Sequence, residues 1–418
     1  MRGEPGRPLR VFIVAGEESG DQLGGALMEA LSRLACARVE FDGVGGSRMA
    51  AAGLNSRFPM DDLTAIGFGQ VLGKLPLIVR RLRQTVALIC AARPDILVLV
   101  DAPDFTHRVA ARVRRRMPDV PVVKYVSPTV WAWRPGRAKA MRPFIDRLLA
   151  LLPFEPQVHA RLQGPPTFYV GHPLLERLAD LRSSPEEAAR RMAEPARIVL
   201  LPGSRRMEID RLAPVFGAAA ALLAQGRDIE FILPTLPRRL AQVEAHVAQW
   251  PVPVRIVTDE AEKYAALRTA RAALAASGTV TLELALAGVP TVAAYRVATW
   301  EALLAPYVLT IPSVLLPNLV LGENAMPEFL QHDCTAPKLA EAMGRLVEDS
   351  AARREQLRAF EHLDAIFGVG GPAPSDRAAR AVLDLVAERR GERSDQGADL
   401  DPVSELECEP IPLNSFDR

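Results

Sequence analysis

Cysteine is scarce in this chain of 418 residues: only Cys36, Cys90, Cys334 and Cys408 occur. None stands within metal-ligand spacing of another, and so low a count fits a reducing cytoplasm. Net charge is nearly absent too. The 51 basic and 50 acidic residues leave +1, which removes the case for bulk attraction to nucleic acid. Missing as well are a His-Glu-x-x-His motif, a P-loop and a Gly-x-Ser-x-Gly elbow. The one Asp-x-Asp falls at Asp399-Leu400-Asp401. No metal and no cofactor are expected. Met1 to Arg10 is polar and the next apolar run is short, so no signal peptide is expected. Ala302 to Gly322 carries no charge, but Pro306, Pro312 and Pro317 interrupt it. Proline inside a helix costs about 3 kcal/mol or more, so buried loops and short helices are expected there rather than a membrane span.

What is present is globular: 49% apolar and 24% charged residues. Strand-like runs alternate with helical stretches, which argues an α/β chain with parallel sheets. The runs in the first half are Arg10–Ala15, Glu40–Val44, Ile96–Val100, Val122–Val126 and Arg147–Leu151. In the second they are Arg197–Leu201, Glu230–Leu233, Val254–Val257, Ala272–Ala276 and Thr291–Ala294. Each half has enough strands for its own doubly wound sheet. The expected organisation is a loose N-terminus (1–8), a Rossmann-like domain (9–176), a second one (177–345), C-terminal helices (346–390) and a disordered tail (391–418).

Chemistry-bearing residues gather where strands end. The first run leads into Ala15-Gly16-Glu17-Glu18-Ser19-Gly20-Asp21. This is not Gly-x-Gly-x-x-Gly, and its acids would repel a pyrophosphate, so a polyhydroxylated ligand suits it better; alternatively Ser19 or Asp21 simply caps the helix. The third run ends in Asp101-Ala102-Pro103-Asp104. A carboxylate there can take a proton from a substrate hydroxyl, whereas Asp104 reads as a helix cap. Tyr125 to Lys139 gathers Trp131 and Trp133 beside Arg134, Arg137 and Lys139, either as a phosphate-holding surface or as a packed loop. In the second half, Gly203-Ser204-Arg205 forms a tight turn into a helix, with a planar cationic fork suited to a diphosphate. Ser277-Gly278-Thr279 opens another helix, whose backbone N–H groups can receive an anion; Glu283 lies one turn in. Ile66 to Arg81 mixes apolar residues with cations and suits either a membrane interface or the core.

In this order the motifs resemble the lipid-A-disaccharide synthase family, bacterial glycosyltransferases of two Rossmann domains (the GT-B type). The likeness covers roughly residues 10–390. It rests on Ala15-Gly16-Glu17 with Ser19-Gly20-Asp21, Asp101-Ala102-Pro103-Asp104-Phe105, Tyr125-Val126-Ser127-Pro128 with Trp131-Ala132-Trp133-Arg134, and Leu152-Pro153-Phe154-Glu155. Gly171-His172-Pro173, Leu201-Pro202-Gly203-Ser204-Arg205, Ser277-Gly278-Thr279 with Glu283, and Leu316-Pro317-Asn318-Leu319 complete it. Glu18 departs from the small residue usual in relatives.

The resemblance implies an inverting hexosyl transfer. UDP-2,3-diacylglucosamine is the donor, 2,3-diacylglucosamine 1-phosphate the acceptor, and the β-1,6-linked lipid A disaccharide 1-phosphate and UDP the products. It implies an acceptor site on the first domain with Glu17, Ser19, Gly20 and Asp21, and Asp101 as base. On the second domain it implies nucleotide-sugar contacts from Gly203, Ser204, Arg205, Ser277, Gly278, Thr279, Glu283, Asn318 and Gln331, with Arg205 also catalytic. Acylated substrates imply a cytoplasmic protein held peripherally on the cytoplasmic face of the inner membrane, and the family tends toward a homodimer. The alternative is a transferase or epimerase of the same fold acting on a soluble UDP-N-acetylhexosamine.

Overall fold

A computed structural model describes residues 7–63, 68–297 and 311–391, with the backbone path alone for 68–74. Most of the expected loose N-terminus, residues 302–310 of the uncharged stretch 302–322, part of Ile66–Arg81 and all of the tail beyond Gly391 lie outside the described residues. The chain divides into two compact units. One runs to Leu175 and takes the chain up again from Gly370; the other spans Glu176–Val369.

The first unit is built on six parallel strands: β1 (Leu9–Ala15), β2 (Val39–Val44), β3 (Ile96–Val100), β4 (Val122–Tyr125), β5 (Arg147–Ala150) and β6 (Thr167–Tyr169), in the order β2-β1-β3-β4-β5-β6. A parallel sheet covered by helices on both faces calls for near-continuous apolar strands, and Ile-Leu-Val-Leu-Val in β3 is wholly buried. Side chains alternate between the faces. Val11, Ile13 and Val98 pack with Leu27 and Leu31 of the helix Glu18–Leu34. Phe12, Val14, Leu97 and Leu99 pack with Val86 of the helix Phe68–Ala92 and Val109 of the helix Pro103–Arg116.

The second unit carries β7 (Ala196–Leu201), β8 (Ile229–Pro234), β9 (Val254–Val257), β10 (Ala272–Ala276), β11 (Thr291–Tyr295) and β12 (Glu328–Leu330), in the order β12-β11-β10-β7-β8-β9. Ile198, Leu200 and Leu274 bury against Ile209, Leu212 and Phe216 of the helix Arg206–Leu223 and against Leu339 and Met343 of the helix Ala336–Val347. Arg191 ties helix ends together: its guanidinium donates to the carbonyls of Arg268 (2.8 Å), Ala287 (2.7 Å) and Gly288 (2.8 Å). Those carbonyls close the helices Glu260–Thr269 and Thr279–Leu286, so one half-buried cation satisfies C-terminal groups left without intrahelical partners.

Each sheet reverses its winding once, between β1 and β3 and between β7 and β10. Open α/β sheets bind ligands at such a reversal, where adjacent loops diverge from the strands' carboxyl ends. Registers place the loops side by side: Ala15 is opposite Val100, and Leu201 opposite Ala275.

Two short strands, β6 and β12, lack the apolar runs that mark the other ten. The segment 346–390 does not stay together as one group of helices. Its helix Ala351–Phe367 belongs to the second unit, while the helix Pro374–Arg390 returns to the first. There Ala378, Val382 and Leu385 share a core with Leu27 and Met28. Full burial of a side chain such as Val382 is worth about 1.5–3 kcal/mol, which explains the return. Among the described residues no helix is long and apolar enough to cross a membrane, and no group of His, Cys, Asp or Glu could hold a metal ion.

Candidate active site

At the first reversal, Asp101 ends β3 with its carboxylate beside the turn that follows β1. Ser19 Oγ donates to Asp101 Oδ2 at 2.9 Å, so Ser19 orients the carboxylate rather than capping its own helix. The turn is strained. Asp101 (φ 48°) and Ala102 (φ 43°) are both left-handed without being glycine, a conformation that persists only where its surroundings impose it. The imposing contacts are visible. Ala102 N–H donates to Asp101 Oδ1 at 2.9 Å, and Thr106 Oγ1 donates to the Asp101 carbonyl at 2.9 Å. From β4, Lys124 Nζ donates to the same carbonyl at 2.5 Å. A Cβ on Gly16 would lie 2.7 Å from that of Ala102, so the two loops approach closely only because Gly16 has none.

Lys124 is fully buried. Burial pushes its ammonium down to about 7, against the opposing pull of Asp101 and Glu17. Glu17 is exposed as a residue, yet its carboxyl is partly shielded from water beside Asp101; both effects raise its pKa, and Lys124 partly offsets them. Burial, with Lys124 and Arg137 nearby, drives His107 down to about 3, so the ring stays neutral. The rim is thus a cluster of acids around one buried cation, suited to taking a proton from a bound hydroxyl.

Asp21 is placed differently from the expectation. Its carboxylate accepts N–H groups from Gly46 (2.7 Å), Arg48 (2.9 Å) and Met49 (3.1 Å) and is buried at 3% exposure. It holds the start of the helix Ser47–Ala51 and has no face left for a substrate. Gly20 packs its backbone against the Asp101 turn, with only 3.4 Å between a Cβ there and Asp101 Cβ. Asp104 sits on the exposed side, paired with Arg137 Nη2 at 3.0 Å.

At the second reversal, Gly203 (φ +113°) lets the chain turn from β7 into the helix Arg206–Leu223. A Cβ at Gly203 would lie 2.7 Å from Glu208. The Glu208 carboxylate folds back over this helix start: Ser204 N–H and Arg205 N–H each donate to Oε2 at 3.2 Å, and Arg205 Nη1 donates to Oε1 at 2.8 Å. The carboxylate closes a capping box at this helix start, a place where the N–H groups favour an anion. Beside it, Gly278 and Thr279 are exposed, and the helix Thr279–Leu286 starts without a side-chain cap. A Cβ at Gly278 would meet nothing within 4 Å, so a ligand has room to approach.

Glu283 is buried on this helix. Both its oxygens accept from Lys263 Nζ, at 2.7 and 2.8 Å, and the pair leaves lone pairs on the carboxylate for a hydroxyl. Asn318 departs from the expectation. It is buried at 2% exposure; its Nδ2 donates to the Met326 carbonyl at 2.8 Å and its Oδ1 accepts from Met326 N–H at 2.9 Å. The amide braces its own loop and is not presented to a nucleotide. Gln331, by contrast, is left-handed (φ 49°) at the end of β12 and only partly buried.

Three residues of these sites went unnoticed in the sequence. Lys124 is the one cation inside β4, Lys263 pairs with Glu283 across 20 positions, and Glu208 falls three residues after Arg205. Only Glu208 had a local signal, the spacing of a capping box.

Two Rossmann-like units, one with an acid-lined rim and one with an arginine and glycines at its helix starts, define the class: two-domain α/β proteins of the GT-B type. Solved structures agree on the fold. The chain is similar to a putative UDP-N-acetylglucosamine 2-epimerase from Listeria monocytogenes (TM-score 0.59, 14% identity, 93% of this chain and 98% of that one). It is also similar to UDP-GlcNAc 2-epimerase from Neisseria meningitidis bound to UDP-GlcNAc (TM-score 0.58, 11% identity, 91% and 100%).

The family is set by sequence. The family model described as lipid-A-disaccharide synthetase matches residues 11–366. Lipid-A-disaccharide synthases of Nitrobacter hamburgensis and Rhodopseudomonas palustris (strain HaA2) are each 53% identical, over 91% of this chain and 97% of theirs. The chain belongs to the lipid-A-disaccharide synthase family, glycosyltransferases of lipid A biosynthesis. This match disfavours the alternative of an enzyme for a soluble UDP-N-acetylhexosamine.

Proposed function

We propose that the chain transfers 2,3-diacylglucosamine from its UDP-linked form to the 6-hydroxyl of 2,3-diacylglucosamine 1-phosphate, inverting the anomeric carbon in one displacement. The observation that carries this reading is the Ser19–Asp101 hydrogen bond of 2.9 Å at the reversal of the first sheet: a carboxylate oriented on a strained turn, ready to accept the hydroxyl proton. Glu17, Ser19 and Gly20 line the acceptor side, with Asp21 holding the neighbouring helix in place. As the bond to UDP breaks, negative charge grows on the β-phosphate. The backbone N–H groups of Ser204 and Arg205, and the Arg205 guanidinium, release Glu208 and take up that charge, as preorganised donors do. Ser277, Gly278 and Thr279 receive the other phosphate. Glu283, held by Lys263, binds the ribose, and Gln331 the uracil side.

Diacylated substrates reside in a bilayer, so we place the protein peripherally on the cytoplasmic face of the inner membrane, through Ile66–Arg81. Leu75, at 45% exposure, supports this. Liposome cosedimentation that persists after Phe68, Leu72 and Leu75 are made polar would remove the assignment. A homodimer fits the family tendency and is read by sedimentation. The reaction itself is tested by incubating the purified protein with both acylated sugars and weighing the lipid product. A tetraacyl disaccharide 1-phosphate with equimolar UDP is expected; hydrolysis or epimerisation alone would overturn the reading.

A further inference from the structure

The loop after β4 carries a second group of cations that the proton transfer and the diphosphate seat leave unused. Two guanidinium groups lie over the Trp133 ring, that of Arg134 at 4.3 Å from the ring centre and that of Arg137 at 5.3 Å. Arg134 is left-handed (φ 53°) and exposed. Among the described residues no carboxylate pairs with it, whereas Arg137 is half neutralised by Asp104. The loop is rigidly founded. Trp133 Nε1 donates to Thr129 Oγ1 at 3.2 Å. Below it, Trp131 Nε1 donates at 3.2 Å to Glu155, whose other oxygen accepts N–H groups from Leu151 (3.1 Å) and Leu152 (3.0 Å). Ser127 Oγ meets His159 Nε2 at 2.8 Å, and Trp131 packs edge-on against Phe154. A strained, unneutralised guanidinium on so firm a base indicates a preorganised binding group.

We infer that Arg134 and Arg137, stacked on Trp133, form the seat for the phosphate monoester of the acceptor glycolipid. The inference rests on the reaction proposed above. Its ligand is a phosphate monoester, a near-dianion at neutral pH, which a planar guanidinium can bind through two hydrogen bonds. The placement fits the acceptor. Its 1-phosphate and its 6-hydroxyl arm are carried by the two carbons that flank the ring oxygen, so the phosphate seat must stand about a ring's width from the base. Asp104 follows Asp101 by three residues, so their Cα atoms are at most about 11 Å apart, and Arg137 bonds Asp104. The indole offers an apolar flank beside the two cations. Asp104 is the opposing charge, and the approaching phosphate competes with it for Arg137.

The test is equilibrium binding of diacylglucosamine 1-phosphate, and of the same lipid without its phosphate, to the full chain in detergent micelles. Wild type should prefer the phosphorylated lipid roughly 10- to 100-fold, the span of a lost charged hydrogen bond. Arg134→Asn should erase most of that preference, because asparagine tolerates the left-handed backbone without the charge. Arg137→Gln should erase part of it. UDP affinity should stay unchanged in both. A wild type without preference, or a preference that survives Arg134→Asn, would overturn the seat. Because binding needs no turnover, absence of disaccharide product would count against the reaction alone and leave this result readable.

Discussion

The two units solve one architectural problem with opposite charges. Both reverse their winding beside their own first strand, and both bring two loops together at neighbouring strand ends. In the first unit that place holds Glu17 and Asp101 around the buried Lys124. In the second it holds glycines, Arg205 and backbone N–H groups that Glu208 engages from within. The topology decides where a ligand sits; a few loop residues decide whether it gives up a proton or spreads a negative charge.

The sharpest way to break this contrast is to make the acid rim inert while sparing the other. Asp101→Asn should lower turnover by about 10²-fold or more, the scale of general-base catalysis, with UDP affinity near wild type. Full activity in that variant would transfer the base role elsewhere, Glu17 being nearest. The converse change, Arg205→Ala, should weaken UDP binding roughly 10- to 100-fold, as the loss of a charged hydrogen bond does, and leave acceptor binding intact. Calorimetric titration with UDP reads it, and unchanged affinity would empty the proposed anion seat.

Glu208 sharpens the comparison further. It occupies the seat from within, so Glu208→Gln should weaken its hold on Arg205 and raise UDP affinity a few-fold. Stability should change little, because glutamine also serves at the third position of a capping box. A fall in UDP affinity would show that the carboxylate aligns Arg205 rather than competing with the phosphate.

The contrast was half legible in the sequence. Ten of the twelve strands announce themselves as apolar runs, and Gly203-Ser204-Arg205 and Asp101 stand at strand ends where a linear reading finds them. What escaped depends on distance along the chain. Lys124 looks like a solvent-facing break in Val-Val-Lys-Tyr, and only the packed sheet shows its ammonium reaching the Asp101 carbonyl. Lys263 and Glu283 are 20 positions apart, each unremarkable alone. Asp21 and Asn318 have the composition of ligand-binding residues, yet the backbone of their own chain claimed them first. Burial decides between these uses, and burial is a property of the fold.

The smallest expected effect separates foundation from rim. Glu155 lies under the tryptophan loop, and burial pushes its carboxyl up to about 7 despite the N–H groups of Leu152 and Trp131. In the unfolded chain it titrates near 4.5. Between those values the folded state holds a proton that the unfolded state releases. Its stability contribution is therefore full below about 4.5 and declines as pH rises through about 7. The thermal midpoint of the wild type should carry that decline, and Glu155→Gln, which cannot ionise, should flatten it. If Glu155→Gln leaves the slope intact, the carboxyl is already ionised in the fold, and the loop that presents Arg134 stands on a buried anion rather than on a neutral acid.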